Sequence, residues 1–92
     1  MRNFFESGTD AYSYQTCIRT IDCEGRMILN RSYYSPTTSR HQDVAFKGYG
    51  IDAISLNNVP VGATAEDLRN IVQSQDYNDP NNRYHYDERQ AA

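Results

Sequence analysis

The sequence predicts an α+β domain: a twisted, mainly antiparallel sheet of three or four strands with one helix packed on a face, followed by a polar C-terminal tail. Three observations carry this. Residues 12–34 are rich in Tyr, Thr and Ile and read as two extended runs on either side of Gly25. Further on, Leu68, Ile71, Val72 and Gln75 recur at i, i+3, i+4 and i+7, the spacing of one helical stripe. Beyond Asp76 the large apolar bodies reduce to Tyr77, Tyr84 and Tyr86 among Asn, Asp, Pro80, Arg and Gln. At 92 residues the chain has room for one domain. It is placed at 1–75, with the tail at 76–92.

Residues 1–11 read as a short arm, in which Phe4 and Phe5 tuck against the domain, closed by a turn at Ser7-Gly8-Thr9-Asp10. Tyr12 to Cys23 reads as one strand. Strict alternation puts Cys17, Arg19, Ile21 and Cys23 on one side and Tyr14, Thr16, Ile18 and Thr20 on the other. Asp22-Cys23-Glu24-Gly25-Arg26 supplies a glycine where a tight connection wants positive φ, and Met27 to Tyr34 resumes the extended pattern. A β-hairpin over about 12–34 follows.

Ser35 to Gln42 reads as a loop, or a turn opening a short strand, because Pro36 cannot donate to a ladder and the run is dense in hydroxyls. Residues 44–49 and 51–56 are each short enough to be strands, with a bulge or tight bend where Gly48 and Gly50 bracket Tyr49. Residues 57–62 form a connection. Thr64-Ala65-Glu66-Asp67 then starts a helix over 64–75. The Thr64 hydroxyl caps position 67, Asp67 reaches back, and the acids meet the positive end of the dipole.

Catalytic and metal chemistry find little support. Cys17 and Cys23 on one strand would stand roughly 20 Å apart at about 3.3 Å per residue, beyond the ~7 Å that a disulfide tolerates. Free thiols suit a cytoplasmic protein. His41 and His85 offer no C-x-x-C or H-x₃-H partner spacing for zinc, so no metal and no cofactor are expected. His41 lies beside Ser39, but no nucleophile elbow surrounds it. Glu66-Asp67 is explained by the helix start. Gly48-Tyr49-Gly50 is too short for a phosphate loop. No apolar run reaches the ~18–20 residues of a membrane span. The expectation is a soluble protein that is not an enzyme.

What remains is a bias in composition and charge. Eight of the nine basic residues are Arg and eight of the eleven aromatics are Tyr, the two residue types enriched at recognition surfaces. Gly25–Gly50 carries a local charge of +3 within a chain of net charge −3, whereas Asp76–Ala92 carries −2. Arg26, Arg31, Tyr33, Tyr34, Arg40, His41, Lys47 and Tyr49 are therefore the candidate partner-binding residues. Basic side chains interleaved with aromatics and hydroxyls suit either an acidic protein surface or nucleic-acid phosphates and bases. A small nucleic-acid-binding accessory protein using the 25–50 surface is accordingly one reading.

The other reading starts from Tyr33-Tyr34-Ser35-Pro36-Thr37-Thr38-Ser39-Arg40-His41-Gln42. This run resembles a segment of small bacteriophage proteins, a strand end followed by Y-S-x-T-T-S-[KR]-H. In size, lone short helix and lack of a catalytic set, the chain is similar to phage-encoded anti-CRISPR proteins, in particular inhibitors of the type I-F surveillance complex. The resemblance implies a host-cytoplasmic inhibitor that binds Cas proteins, with possible contact to the guide-RNA backbone, and blocks target DNA binding or hybridisation. A DNA mimic would carry dense acidic charge, so a wedge of Tyr and Arg is the form expected here, with Arg31, Arg40 or Lys47 reaching guide-RNA phosphates or Cas carboxylates.

Overall fold

The computed structural model describes residues 1–50, 52–74 and 79–86. Among these residues five strands form one sheet in sequence order: β1 (Phe4–Ser7), β2 (Asp10–Ser13), β3 (Thr16–Ile21), β4 (Met27–Asn30) and β5 (Ile54–Leu56). The first three pairings are antiparallel and β4 pairs with β5 in parallel. Among the described residues there are two helices, α1 (Pro36–Ala45) between β4 and β5, and α2 (Ala65–Gln73) after β5. The class is α+β, as expected, with one or two more strands and one more helix than the sequence suggested.

The N-terminal arm is in fact a hairpin. Gly8 at φ +60 allows the two-residue connection between Ser7 and Asp10, and β1 pairs along its length with β2. Phe4 packs beside Ala11 and Ile18, but Phe5 on the opposite face is 62 % exposed, so only one of the two phenylalanines tucks in. The single strand expected over 12–23 is broken at Tyr14, whose φ of +56 starts a second reversal between Ser13 and Thr16. Strict alternation also fails. Tyr12 pairs with Cys17 and Ala11 with Arg19, leaving Ile18 as an extra residue. This bulge turns Ile18 and Arg19 to the same face. Gly25 takes φ +86 in the next connection, as its position suggested.

Cross-strand partners share a face. Arg19, Leu29 and Ser55 line one side, while Thr20, Ile28 and Ile54 line the other. On the second side Cys17, Ile28, Ile54, Leu56, Val59 and Leu68 form an apolar core, with Tyr12, Ile71, Val72 and Tyr84 packed around it. Here α2 lies, starting as predicted: Thr64 Oγ1 accepts from the Asp67 amide at 3.1 Å, and an Asp67 carboxylate oxygen accepts from the Thr64 amide at 2.9 Å. The helix closes at Gln73, two residues short of Gln75, which lies outside the described residues.

The run expected as loop, and the strand expected over 44–49, are instead α1 and the loop that follows it. Ser35 is its N-cap, with Oγ accepting from the Thr38 amide at 3.1 Å. Pro36 occupies the first turn, where a missing N–H costs nothing. A proline read as a strand breaker is here a helix initiator. α1 packs on the Arg19 face and carries Thr38, His41, Gln42 and Ala45 inward. β4 ends at Asn30 and β5 begins only at Ile54. Of the tail expected over 76–92, residues 79–86 are described, and they lie against the domain. The Asn57 amide donates to Tyr84 O at 3.1 Å, and His85 bridges Leu56. Among the described residues, no helix is long and apolar enough to cross a membrane.

Candidate partner-binding site

Because β4 and β5 run in parallel, the turn that precedes β4 and the loop that precedes β5 meet at one end of the sheet. Between them opens a cleft of about 660 Å³ lined by Gly25, Arg26 and Met27 from the turn and Gly48, Tyr49, Gly50, Asp52 and Ala53 from the loop. Gly48 at φ +86 and Gly50 at φ +145 adopt conformations that favour glycine, so the bracket around Tyr49 is a backbone requirement. Tyr49 stays 44 % exposed. The guanidinium carbon of Arg19 lies 5.3 Å from its ring centroid. Arg19 is itself held by the carbonyls of Ala45 at 2.8 Å and Thr9 at 3.0 Å and by the Glu6 carboxylate at 2.9 Å. A rigid arginine thus fixes the exposed ring from behind.

The cleft's own basic group is largely neutralised. Arg26 pairs with Asp22 at 2.9 Å and with Glu24 at 3.1 Å. Burial alone would raise the Asp22 carboxyl. The amides of Arg26 and Glu24, which donate to it at 2.8 and 2.9 Å, and the Arg26 guanidinium outweigh that and hold it below the usual carboxylate range.

Of the eight candidate residues, the structure brings Arg26 and Tyr49 together at this cleft and distributes the others. Arg31 leaves the end of β4 on the Arg19 face and lies against the rings of Phe46 and Tyr86. Tyr33 is 74 % exposed beyond the other end of β4. Tyr34 is structural, its hydroxyl donating to Val59 O at 2.7 Å and accepting from Asn30 Nδ2 at 2.9 Å. Arg40 is exposed on α1 and Lys47 just after it, and neither has an ion-pair partner among the described residues. The basic residues expected over 25–50 thus sit on the β3–β4 turn, the end of β4, α1 and the loop after it, and α1 itself is about 15 Å long at 1.5 Å per residue.

His41 is buried rather than presented. Its Nδ1 is hydrogen-bonded to Ser13 Oγ at 2.6 Å, Ser13 Oγ also meets Thr38 Oγ1 at 2.9 Å, and Phe4 stacks on the imidazole at 5.3 Å. Ser13 and His41 are 1 % and 3 % exposed, and neither lines the cleft. The cluster ties α1 to β2. Ser39, its neighbour in the sequence, is not involved; Ser13 lies 28 positions away and has no local signal. Cys17 is buried and its thiol is pushed up to about 12 chiefly by that burial, whereas Cys23 is exposed; both are free. Among the described residues no three His, Cys, Asp or Glu side chains cluster to hold a metal. A second groove of about 410 Å³ runs beside α2, lined by Pro60, Val61, Gly62, Ala63, Asp67, Asn70, Ile71 and Tyr84.

Four residues outside the candidate set brace or line these positions. Arg19 holds Tyr49, Asp52 lines the cleft, and Phe46 and Tyr86 flank Arg31. The bulge at Ile18 is what aims Arg19 at this face, and alternation along the strand conceals it.

The model of a family of unknown function, DUF8033, matches residues 2–58, and the chain belongs to that family. The matched region contains all five strands, α1 and every residue of the 660 Å³ cleft, whereas α2 lies beyond it. No curated protein and no solved structure matches the chain.

Proposed function

We propose that this DUF8033 member is a non-enzymatic binding protein that docks a protein partner at the cleft between the β3–β4 turn and the loop after α1. The observation that supports this most is Tyr49, exposed at the mouth of the cleft yet held from behind by a buried arginine. A large amphipathic ring with little freedom left to lose is the residue type that contributes most to protein interfaces. The likeness of Tyr33–Gln42 to phage segments makes the type I-F CRISPR surveillance complex the proposed partner. The chain then acts as a phage inhibitor in the host cytoplasm, packing against Cas subunits and blocking target DNA binding or hybridisation. Protein contact is favoured over nucleic acid because Arg19 and Arg26 are already paired with carboxylates, which leaves the chain short of the basic excess usual for nucleic-acid binders.

The test is co-elution of the tagged chain with purified type I-F complex, alongside phage plating on a host with active interference. Co-elution and restored plating are expected, both lost in Tyr49→Ala. Absence of co-elution together with intact interference overturns the proposal. Binding to RNA alone, falling steeply with salt, transfers the function to the nucleic-acid reading.

A further inference from the structure

Arg31 differs from Arg19 and Arg26. Arg19 and Arg26 each pair with carboxylates, but no carboxylate among the described residues lies within ion-pair distance of Arg31. It is nevertheless held in place. Nε donates to Ser55 Oγ at 3.0 Å, the guanidinium carbon lies 5.2 Å from the Phe46 ring centroid and 5.6 Å from that of Tyr86, and the backbone amide donates to Leu56 O at 2.8 Å. With Nε engaged, the Nη1 and Nη2 donors form the remaining fork. Gly50 lies beside that edge: a Cβ there would meet Nη2 at 3.8 Å, an ordinary van der Waals contact, and the φ of +145 strains any other residue.

A positioned cation with an unused bidentate edge and aromatic faces around it is preorganised for an anion. Arg31 is half-buried between the rings, so a pair formed here is worth more than one on an open surface. The surroundings decide which anion. The chain is net −3 and Arg19 and Arg26 are paired with carboxylates, so the field suits one localised planar charge and not a polyanion.

We propose that Arg31 is the recognition point for a single carboxylate, from an Asp, a Glu or a chain terminus of the protein partner, with Phe46, Gly50 and Tyr86 shaping its site. The inference rests on the protein-binding reading above and adds the group that is recognised. It also assigns Tyr86, in the segment expected to be a polar tail, a part in the binding surface.

The experiment follows the arginine Nε–H resonances of the full-length chain by NMR during titration with acetate, inorganic phosphate and a single-stranded RNA oligonucleotide, each at constant ionic strength. Arg31 is expected to shift saturably with acetate, well beyond the shift at Arg40. Tyr86→Ala weakens this response. Equal shifts at Arg31 and Arg40, or a stronger response to RNA than to acetate, overturn the proposal. In the co-elution assay Arg31→Gln is expected to weaken capture by about tenfold or more, the scale of a lost buried charge pair, while Arg40→Gln stays within about twofold. The two failures are distinguishable. A positive acetate response with no capture removes the type I-F partner and keeps the carboxylate site, whereas capture unaffected by Arg31→Gln removes the site and keeps the partner.

Discussion

Leu68, Ile71 and Val72 on α2 and Thr38, His41, Gln42 and Ala45 on α1 occupy the same rows of their helices, yet one set is apolar and the other mostly polar. On the α2 face, Leu68 is fully buried against a cluster that includes Cys17, Ile28 and Leu56. On the α1 face, Gln42 Nε2 donates to Asn30 O at 2.8 Å and Ser32 O at 2.9 Å, His41 and Thr38 share Ser13, and Arg19 caps the Ala45 carbonyl at 2.8 Å. Burial of apolar area is non-directional and tolerates small adjustments. Hydrogen bonds to named carbonyls and hydroxyls fix one rotation and one register of the helix, and they are costly to leave half-made. The α2 face is therefore expected to supply most of the stability, and the α1 face to set the geometry of the chain leading into Phe46, Tyr49 and the cleft.

Truncating each face in turn tests this division. Leu68→Ala removes a fully buried side chain and is expected to cost about 2–5 kcal/mol, a large part of the stability of so small a domain, read as a fall in urea midpoint at constant slope. Gln42→Ala strands two carbonyl acceptors and is expected to cost about 1–3 kcal/mol. If Gln42→Ala proves the more damaging, the polar face is the main source of stability and the comparison reverses. The caps give an internal reference, because both helices begin on a hydroxyl that accepts an amide. Ser35→Ala and Thr64→Ala are each expected to cost about 1 kcal/mol, within error of one another, whatever the chemistry of the face behind them.

The same contrast explains what the sequence made legible. α2 announced itself through an apolar stripe and the Thr64–Asp67 capping box, and it was placed within about two residues at its far end. α1 has an equally regular buried stripe, but hydrophobic periodicity cannot register Thr38, His41 and Gln42 as inward-facing. Its one local signal was Ser35-Pro36, an N-cap followed by a first-turn proline, which shares its wording with a strand terminator. The glycine-bounded features around Gly25 and Tyr49 were visible because positive φ is a local demand. The bulge at Ile18 depends on the register between β2 and β3, and with it went the direction of Arg19. Of the candidate site, Arg26 and Tyr49 could be read as a pair only after the parallel β4–β5 crossover brought their loops together, and parallel pairing leaves no short-range mark.

The smallest effect probes the apolar face without changing stability. Cys17 sits fully buried on the α2 side, and burial holds its thiol up near 12, whereas Cys23 is exposed in the β3–β4 turn. Thiolate is the reactive form, so at pH 8 a disulfide reagent is expected to label Cys23 quickly and Cys17 only as fast as the domain opens. Cys23→Ser then abolishes the fast phase and leaves the urea midpoint unchanged. Because the folded Cys17 value lies above its unfolded value of about 8.5, its contribution to stability is complete below that pH. It is lost as pH rises toward 12, where the unfolded chain gains a charge that the folded chain refuses. If Cys17 instead labels alongside Cys23 while Leu68→Ala remains strongly destabilising, the α2 face opens locally without global unfolding. The polar α1 face would then be the part of the molecule that stays closed.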